Sequence, residues 1–216
     1  VLSTRLTHSF RFGPQVAEVA NNVLANFSGA RITGAGKPST IGPVPNPAAI
    51  LTRTNGTAMK FAIDALDEDK SVAMSPNLVK ALTGFAKAAK SLREDGWTDH
   101  ADLAPFASWD AVQHYVEDDP AGGDIKTLVE LIDSHGPDAI LSVLKNVAPP
   151  GEADVTILTA HTSKGLEFPT VRLADDFPVD QDKMNADDYR LMYVALTRAQ
   201  QRLDVGAKSW ILRPPE

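Results

Sequence analysis

The chain has no cysteine, which excludes a disulfide framework and any thiolate-bound metal centre. No apolar run approaches the roughly 20 residues a membrane-spanning helix needs, and no signal-peptide pattern opens the sequence. There is no internal repeat and no low-complexity segment. There is also no Gly-x-x-x-x-Gly-Lys-Ser/Thr and no strand pattern ending in a paired carboxylate, so a phosphate-binding loop and its magnesium partner are both missing. Gly36-Lys37 does not supply one, because Arg31 stands where the first glycine would be and Pro38 follows the lysine. What remains is the composition of an ordinary globular protein, expected in the cytoplasm. The first residue is Val, so a piece of a longer polypeptide is expected.

The net charge of −7 speaks against a nucleic-acid surface only if it is evenly spread. Residues 1–60 hold six basic side chains (Arg5, Arg11, Arg31, Lys37, Arg53 and Lys60) against Glu18 alone, whereas residues 61–153 hold seven basic and seventeen acidic ones. The two ends can therefore build a phosphate-binding face while the acidic middle stays away from DNA.

Gly13-Pro14 followed by Val16, Val19, Val23, Leu24 and Phe27 predicts an amphipathic helix with proline in its first turn. Residues 34–47, rich in Gly and Pro, read as a loop. Ala48 to Arg53 reads as a buried strand, and Asn55 to Leu66 as a helix with Met59, Ala62, Ile63 and Leu66 inward. From Ser75 to about Val147 the pattern is helical. Ser75-Pro76 opens a helix with Leu78, Leu82, Phe85, Ala89 and Leu92 on one face, and Ser108 caps another with Trp109, Val112 and Val116. Asp124 opens a third with Leu128, Val129 and Ile132, and Pro137 a fourth with Ile140, Val143 and Leu144. Trp97, Trp109 and Tyr115 lack interleaved Lys or Arg and are read as core aromatics rather than base-stacking platforms. His100, His114 and His135 have no acidic partner at metal-ligand spacing, so no metal site is expected.

Residues 154–203 hold polar residues that a core cannot explain. Val155, Ile157 and Leu158 form an apolar run that stops at Thr159-Ala160-His161, and Thr170 to Leu173 forms a second. Between them lie the polar turn Thr162 to Gly165 and Leu166-Glu167-Phe168. Asp187 is expected to cap a helix whose Leu191, Met192, Val194 and Ala195 face the sheet, leaving Arg190, Thr197 and Arg198 at other angles. Leu203 to Ala207 is expected as the last strand, before a Pro-Pro-Glu tail. Alternation of strands and helices around the helical middle predicts an α/β fold with a parallel sheet flanked by helices. The basic residues of the first 60 positions and the strand ends after Leu51 and Leu158 are expected to share the carboxyl edge of that sheet.

The stretch TAHTSKGLEF (159–168) followed by YRLMYVALTRA (189–199) resembles motifs V and VI of the UvrD/Rep-type superfamily 1 DNA helicases, in the family's order. SFRFGPQVAEVAN (9–21) resembles motif IV as worded in the F-box DNA helicase branch, and AILTRTN (49–55) resembles the family's segment beside single-stranded DNA. The resemblance implies a RecA-like second motor domain formed by residues 1–74 and 151–216, interrupted by a short helical insertion at 75–150 that is a reduced accessory subdomain. It implies Arg11 and Arg198 as the catalytic γ-phosphate arginines and Glu167 as the residue that reaches the nucleotide sugar. Lys164 would stabilise its turn or meet phosphate, and Thr52, Arg53, Thr54, Asn55, Thr159 and His161 would lie beside DNA. Asp188 stands where the family commonly has Glu. The implied cofactor is ATP with Mg2+, the metal being held by an N-terminal RecA-like motor domain of the same protein. That domain and single-stranded DNA are the implied partners, with no membrane among them. By itself the chain is then half a motor and is expected to lack ATPase activity. A non-catalytic single-stranded DNA-binding or protein-interaction module that kept the fold is the alternative.

Overall fold

The computed structural model describes residues 7–119, 122–149 and 151–213. Arg5, Leu6, the side chain of Asp124 and the Pro-Pro-Glu end lie outside the described residues. In chain order the elements are β1 (His8–Ser9), α1 (Pro14–Leu24), β2 (Thr33–Gly34), β3 (Thr40–Ile41), β4 (Ala49–Thr52), α2 (Asn55–Asp67), β5 (Val72–Met74), α3 (Pro76–Glu94), α4 (Trp109–Asp118), α5 (Gly123–His135), α6 (Pro137–Lys145), β6 (Val155–Thr159), β7 (Phe168–Leu173), α7 (Ala186–Leu196) and β8 (Ala199–Asp204). The strands β3-β8-β7-β4-β6-β5 form a six-stranded sheet, and β1 and β2 form a separate parallel pair. The described pairings in the large sheet are parallel, as the α/β expectation requires. No helix among the described residues is long and apolar enough to cross a membrane.

The chain divides into two compact units: residues up to Arg53 with those from Leu158 onward, and Thr54–Ile157. In the first, every residue of β4 is buried, so it reads as a continuous apolar run rather than an alternating one. Its Leu51 joins Val171 and Leu173 of β7, Leu203 of β8, Val16, Val19 and Val23 of α1, and Met192 and Leu196 of α7 in one core. Fully burying each such side chain is worth about 1.5–3 kcal/mol, which fixes α1 and α7 by their apolar faces. In the second unit, β5 pairs with Val155–Ile157, α2 packs on α5, and α3 packs on α6. Ser75 and Ser108 cap α3 and α4 through Leu78 N and Ala111 N, and Pro137 occupies the first turn of α6.

Several local expectations change. Asn185, not Asp187, caps α7: its Oδ1 accepts from Asp187 N at 2.8 Å and Asp188 N at 3.0 Å, and Asp188 Oδ2 accepts from Asn185 N at 3.1 Å, a reciprocal capping box. The last strand starts four residues earlier than expected, at Ala199, because α7 turns directly into it. The glycine- and proline-rich segment is not loop throughout, since Thr40 and Ile41 pair with Arg202 and Leu203 as the edge strand β3. Helix α1 stops at Leu24, so Phe27 meets Tyr193 edge-on from beyond its end. Helix α5 opens at Gly123 rather than Asp124. Trp109 is buried and Tyr115 packs on Phe106, but Trp97 is 65% exposed rather than core. Thr197 and Arg198 are buried as well, against the expectation that they point away from the packed side.

The β1–β2 pair approaches the start of α1 so closely that only glycine fits. A Cβ on Gly34 would stand 2.3 Å from Gly13 O, and one on Gly36 would stand 2.7 Å from Phe10 O. Gly34→Ala is therefore expected to cost about 1–3 kcal/mol, as overpacking of a tight contact does. Gly29→Ala, where nothing lies within 4 Å of the added carbon, should be nearly neutral. Thermal unfolding of the two variants checks this, and equal midpoints would contradict the close approach.

Candidate functional site: an arginine–glutamate–arginine cluster at the amino edge

Strands β7 and β8 run parallel with Phe168 opposite Ala199, so the residues just before them, Glu167 and Arg198, are neighbours. Phe168 N donates to Arg198 O at 2.9 Å and ties the two strand starts together. Arg198 is only 7% exposed. Its Nε donates to Val194 O at 2.9 Å, Nη1 to Leu166 O at 3.2 Å and Nη2 to Thr197 Oγ1 at 3.1 Å, so its charge is met by oxygens rather than by a carboxylate at hydrogen-bond distance. Burial and the nearby Arg11 push its pKa below the ordinary arginine value, against the opposing pull of Glu167. It remains a cation near neutrality.

Arg11 comes from the other end of the sequence. Its Nε donates to Glu167 Oε1 in a short ion pair, and Gln200 Nε2 donates to the second oxygen of the same carboxylate at 2.9 Å. The Arg11 bond, more than the Gln200 bond, holds the Glu167 pKa below the usual glutamate range despite some desolvation. Burial raises the Tyr193 phenol, with both arginines opposing. Arg11, Tyr193, Thr197 and Arg198 line a recess of about 300 Å³ whose other walls include His8 and Phe12. Phe10, beside Arg11, is 80% exposed and offers an aromatic face to solvent.

The placement of Arg11 depends on residues that no local pattern announces. Helix α1 has no cap from its own Gly13, but Ser39 Oγ accepts from Val16 N at 3.1 Å and caps it from a distance. Asn21 clamps Ile32 in both directions: its Nδ2 donates to Ile32 O and its Oδ1 accepts from Ile32 N, each at 2.9 Å. That clamp holds the chain entering β2, which in turn pairs with β1 next to Arg11. The only sequence signals were the glycines of the 34–47 segment, which loop formation alone would explain equally well.

Thr52 and Thr159 end β4 and β6, so they sit at the carboxyl edge, opposite to the cluster. Both are buried, and Thr159 shares hydrogen bonds with Thr162. Arg53 N donates to the Asp176 carboxylate at 2.9 Å, and its guanidinium reaches Asp188 at 3.3 Å. His161 and Lys164 are exposed on the turn after β6. Thr54 caps α2 by accepting from Thr57 N, and Asn55, the first residue of that helix, is exposed. The basic residues of the first 60 positions therefore do not share one edge as expected. Arg53 is at the carboxyl edge, but Arg11 lies at the amino edge because its partner Glu167 precedes β7.

Comparison with known proteins agrees with the motifs. Residues 116–209 match the model of the UvrD-like helicase C-terminal domain. The chain is 25% identical over 233 residues to F-box DNA helicase protein 1 of Schizosaccharomyces pombe, covering 92% of this chain and 26% of that protein. It is 27% identical over 237 residues to F-box DNA helicase 1 of Gallus gallus, covering 92% of this chain and 23% of that one. Over 88 residues it is 36% identical to ATP-dependent DNA helicase PcrA of Leuconostoc citreum, covering 37% of this chain and 12% of the relative. The chain thus spans about a quarter of the length of the F-box helicases it matches.

The lowered Glu167 pKa fixes a pH dependence. A carboxylate with a depressed folded-state pKa contributes stability that is complete above its unfolded value and is lost as pH falls through the folded one. Wild type should therefore be more stable than Glu167→Gln at neutral pH. The two thermal midpoints should converge as the solution is acidified below about pH 4.3, the unperturbed glutamate value. A difference that does not change with pH would show that the Glu167 charge is not engaged.

Proposed function

We propose that this chain, related through residues 116–209 to UvrD-like helicase C-terminal domains, is the second motor domain of an ATP-dependent DNA helicase or translocase. The observation that supports this most is the convergence of Arg11, Glu167 and Arg198. These come from three separate segments, and Arg11 and Glu167 are 156 positions apart in sequence. Bound ATP with Mg2+ supplies a terminal phosphoryl group on which negative charge redistributes during transfer. Arg198 fits that charge: a guanidinium has five N–H donors, and three of its nitrogens each already spend one on Val194, Leu166 or Thr197. One N–H is left on each terminal nitrogen, held in place by a buried frame. Arg11 adds a second cation by exchanging Glu167 for phosphate oxygen, and the freed carboxylate accepts from a sugar hydroxyl. Lys164 lies on the turn between β6 and Glu167, where it either steadies the turn or meets phosphate.

The phosphate loop and the metal ligands belong, in this reading, to an N-terminal RecA-like motor domain of the same protein. With the phosphate loop placed elsewhere, the 216-residue chain alone is expected to lack ATPase activity. Residues 75–150, which include α3 to α6, are the helical insertion. Single-stranded DNA runs along the opposite, carboxyl edge, where His161 and the half-exposed Arg53 meet the backbone and the buried Thr52 and Thr159 shape the strand ends. Thr54 and Asn55, at the start of α2, are further candidates for DNA contact.

Turnover in the complete protein tests the arginine assignment. Arg198→Lys loses the planar fork, so hydrolysis should fall by ~10³ to 10⁵, with a smaller loss of ATP affinity because the contact strengthens in the transition state. Since the guanidinium is buried and bonded three ways, the same substitution should also destabilise the domain by about 1–3 kcal/mol. Single-turnover hydrolysis below the melting range separates the two effects, and near-normal turnover would remove Arg198 from the site. For DNA, the isolated chain should bind single strands at about 10⁻⁴ to 10⁻⁶ M, weakening as salt rises. Cross-links that fell on the acidic helices α4 and α5 would contradict the assigned edge.

A further inference from the structure

Strand β8 carries an irregularity beside the cluster. Phe168 pairs with Ala199 and Thr170 with Arg202, so the single residue Pro169 on β7 faces both Gln200 and Gln201 on β8. That is a β-bulge, uncommon in a parallel pair and frequent where a strand re-aims a side chain next to a site. Pro169 explains its position, because proline has no N–H to give the ladder and tolerates pairing only at such breaks. From the bulge, Gln200 reaches back past the strand start and donates to Glu167 Oε2 at 2.9 Å, while Oε1 accepts from Arg11. The two oxygens of one carboxylate are thus assigned to different partners. The guanidinium carries a charge that an incoming anion attracts, whereas the neutral glutamine amide carries none.

We propose that Gln200 is a positioning residue for nucleotide binding. Its amide fixes the Glu167 carboxylate so that one oxygen is presented first to Arg11 and, once phosphate draws Arg11 away, to a hydroxyl of the nucleotide sugar. The assignment rests on the motor-domain reading above and adds a second layer to it. Without the amide, Glu167 keeps its charge but loses its orientation, and it follows Arg11 instead of staying in place. Gln200 touches neither phosphate nor sugar, so it acts only through Glu167. A glutamate at position 200 would do worse than an alanine. It sets a second carboxylate against the first, pushes the Glu167 pKa up and weakens sugar binding further as pH falls.

The test is steady-state hydrolysis of ATP and of its 2′- and 3′-deoxy analogues by the complete protein, with Gln200→Ala, Gln200→Glu and Glu167→Ala compared with wild type. Gln200 is half-buried at a strand start with its amide toward solvent, so all three variants should fold. Gln200→Ala should raise KM for ATP about 3- to 10-fold, the effect of losing one oriented hydrogen bond, with kcat within about twofold. It should also narrow the preference for ATP over whichever deoxy analogue wild type disfavours. Gln200→Glu should do the same and add a KM that climbs on acidification. Loss of a packing residue would lower stability without moving that preference. Preference kept in Gln200→Ala but lost in Glu167→Ala would overturn the role of Gln200 alone. Preference kept in both would overturn the sugar contact and the positioning role with it. Neither result touches Arg198, whose Lys variant tests the motor-domain reading independently.

Discussion

Two adjacent parallel strands that start at the same level put the residues preceding them side by side, whatever lies between them in the chain. Here β7 and β8 start level, with Phe168 N bonded to Arg198 O, and the 25 residues between the two strands (174–198) make one crossover through α7. Because the crossover is a helix, it must return the chain from the carboxyl edge to the amino edge before β8 can begin. Arg198 therefore arrives at the amino edge at the end of α7, and Glu167 is already there. Arg11 is drawn to the same point by Glu167 and by the packing of α1 against α7. The cluster is thus a consequence of strand register, and its side chains fill positions that the topology has already brought together.

The same topology separates the two candidate functions. Strands β4 and β6 end at Thr52 and Thr159, on the opposite edge; with Leu51 opposite Leu173, Thr52 is level with Ala174, seven positions past Glu167, so along the strand direction the two sites stand about 23 Å apart at ~3.3 Å per residue. Helix α7 carries a residue of each: Asp188 in its first turn meets the Arg53 guanidinium, and Arg198 follows its last turn. A packed helix of 11 residues is ~16 Å long and does not bend freely. Displacement at one end is therefore carried to the other, so the proposed nucleotide and DNA edges share one rigid element.

Much of this was legible because local patterns coincide with tertiary needs. Apolar runs at Val155–Leu158 and Ala49–Thr52 are short, as strands buried on both faces are, and serine or proline marks the starts of α3, α4 and α6. The three charged residues that the sequence motifs single out, Arg11, Glu167 and Arg198, lie together in the fold. Features set by contacts between distant segments left no trace. Ser39 caps a helix 23 positions away, and Asn21 clamps a strand through its amide. Lys208, in what reads as a polar exit from the last strand, is fully buried beneath the turn that places Ile211 in the core. Strand β5 is three residues long, too short for any periodicity, and exists because Val155–Ile157 lie beside it.

The burial of Arg198 explains why the two arginines are unequal. A guanidinium taken out of water loses hydration that only close acceptors can replace, and Val194 O, Leu166 O and Thr197 Oγ1 replace it here. None of these is a carboxylate that must be displaced, so an incoming anion would meet a cation already oriented and with no carboxylate at hydrogen-bond distance. Preorganisation of this kind costs no rearrangement at the moment of reaction, which is what makes fixed donors effective in a partly dry site. Arg11 has about a third of its side chain exposed and a carboxylate as partner, so any anion that pairs with it must displace Glu167. One arginine is therefore a fixed part of the frame and the other an exchangeable one. Under the proposed motor-domain reading, only the exchangeable arginine would report, through the carboxylate it leaves behind, that the site is filled.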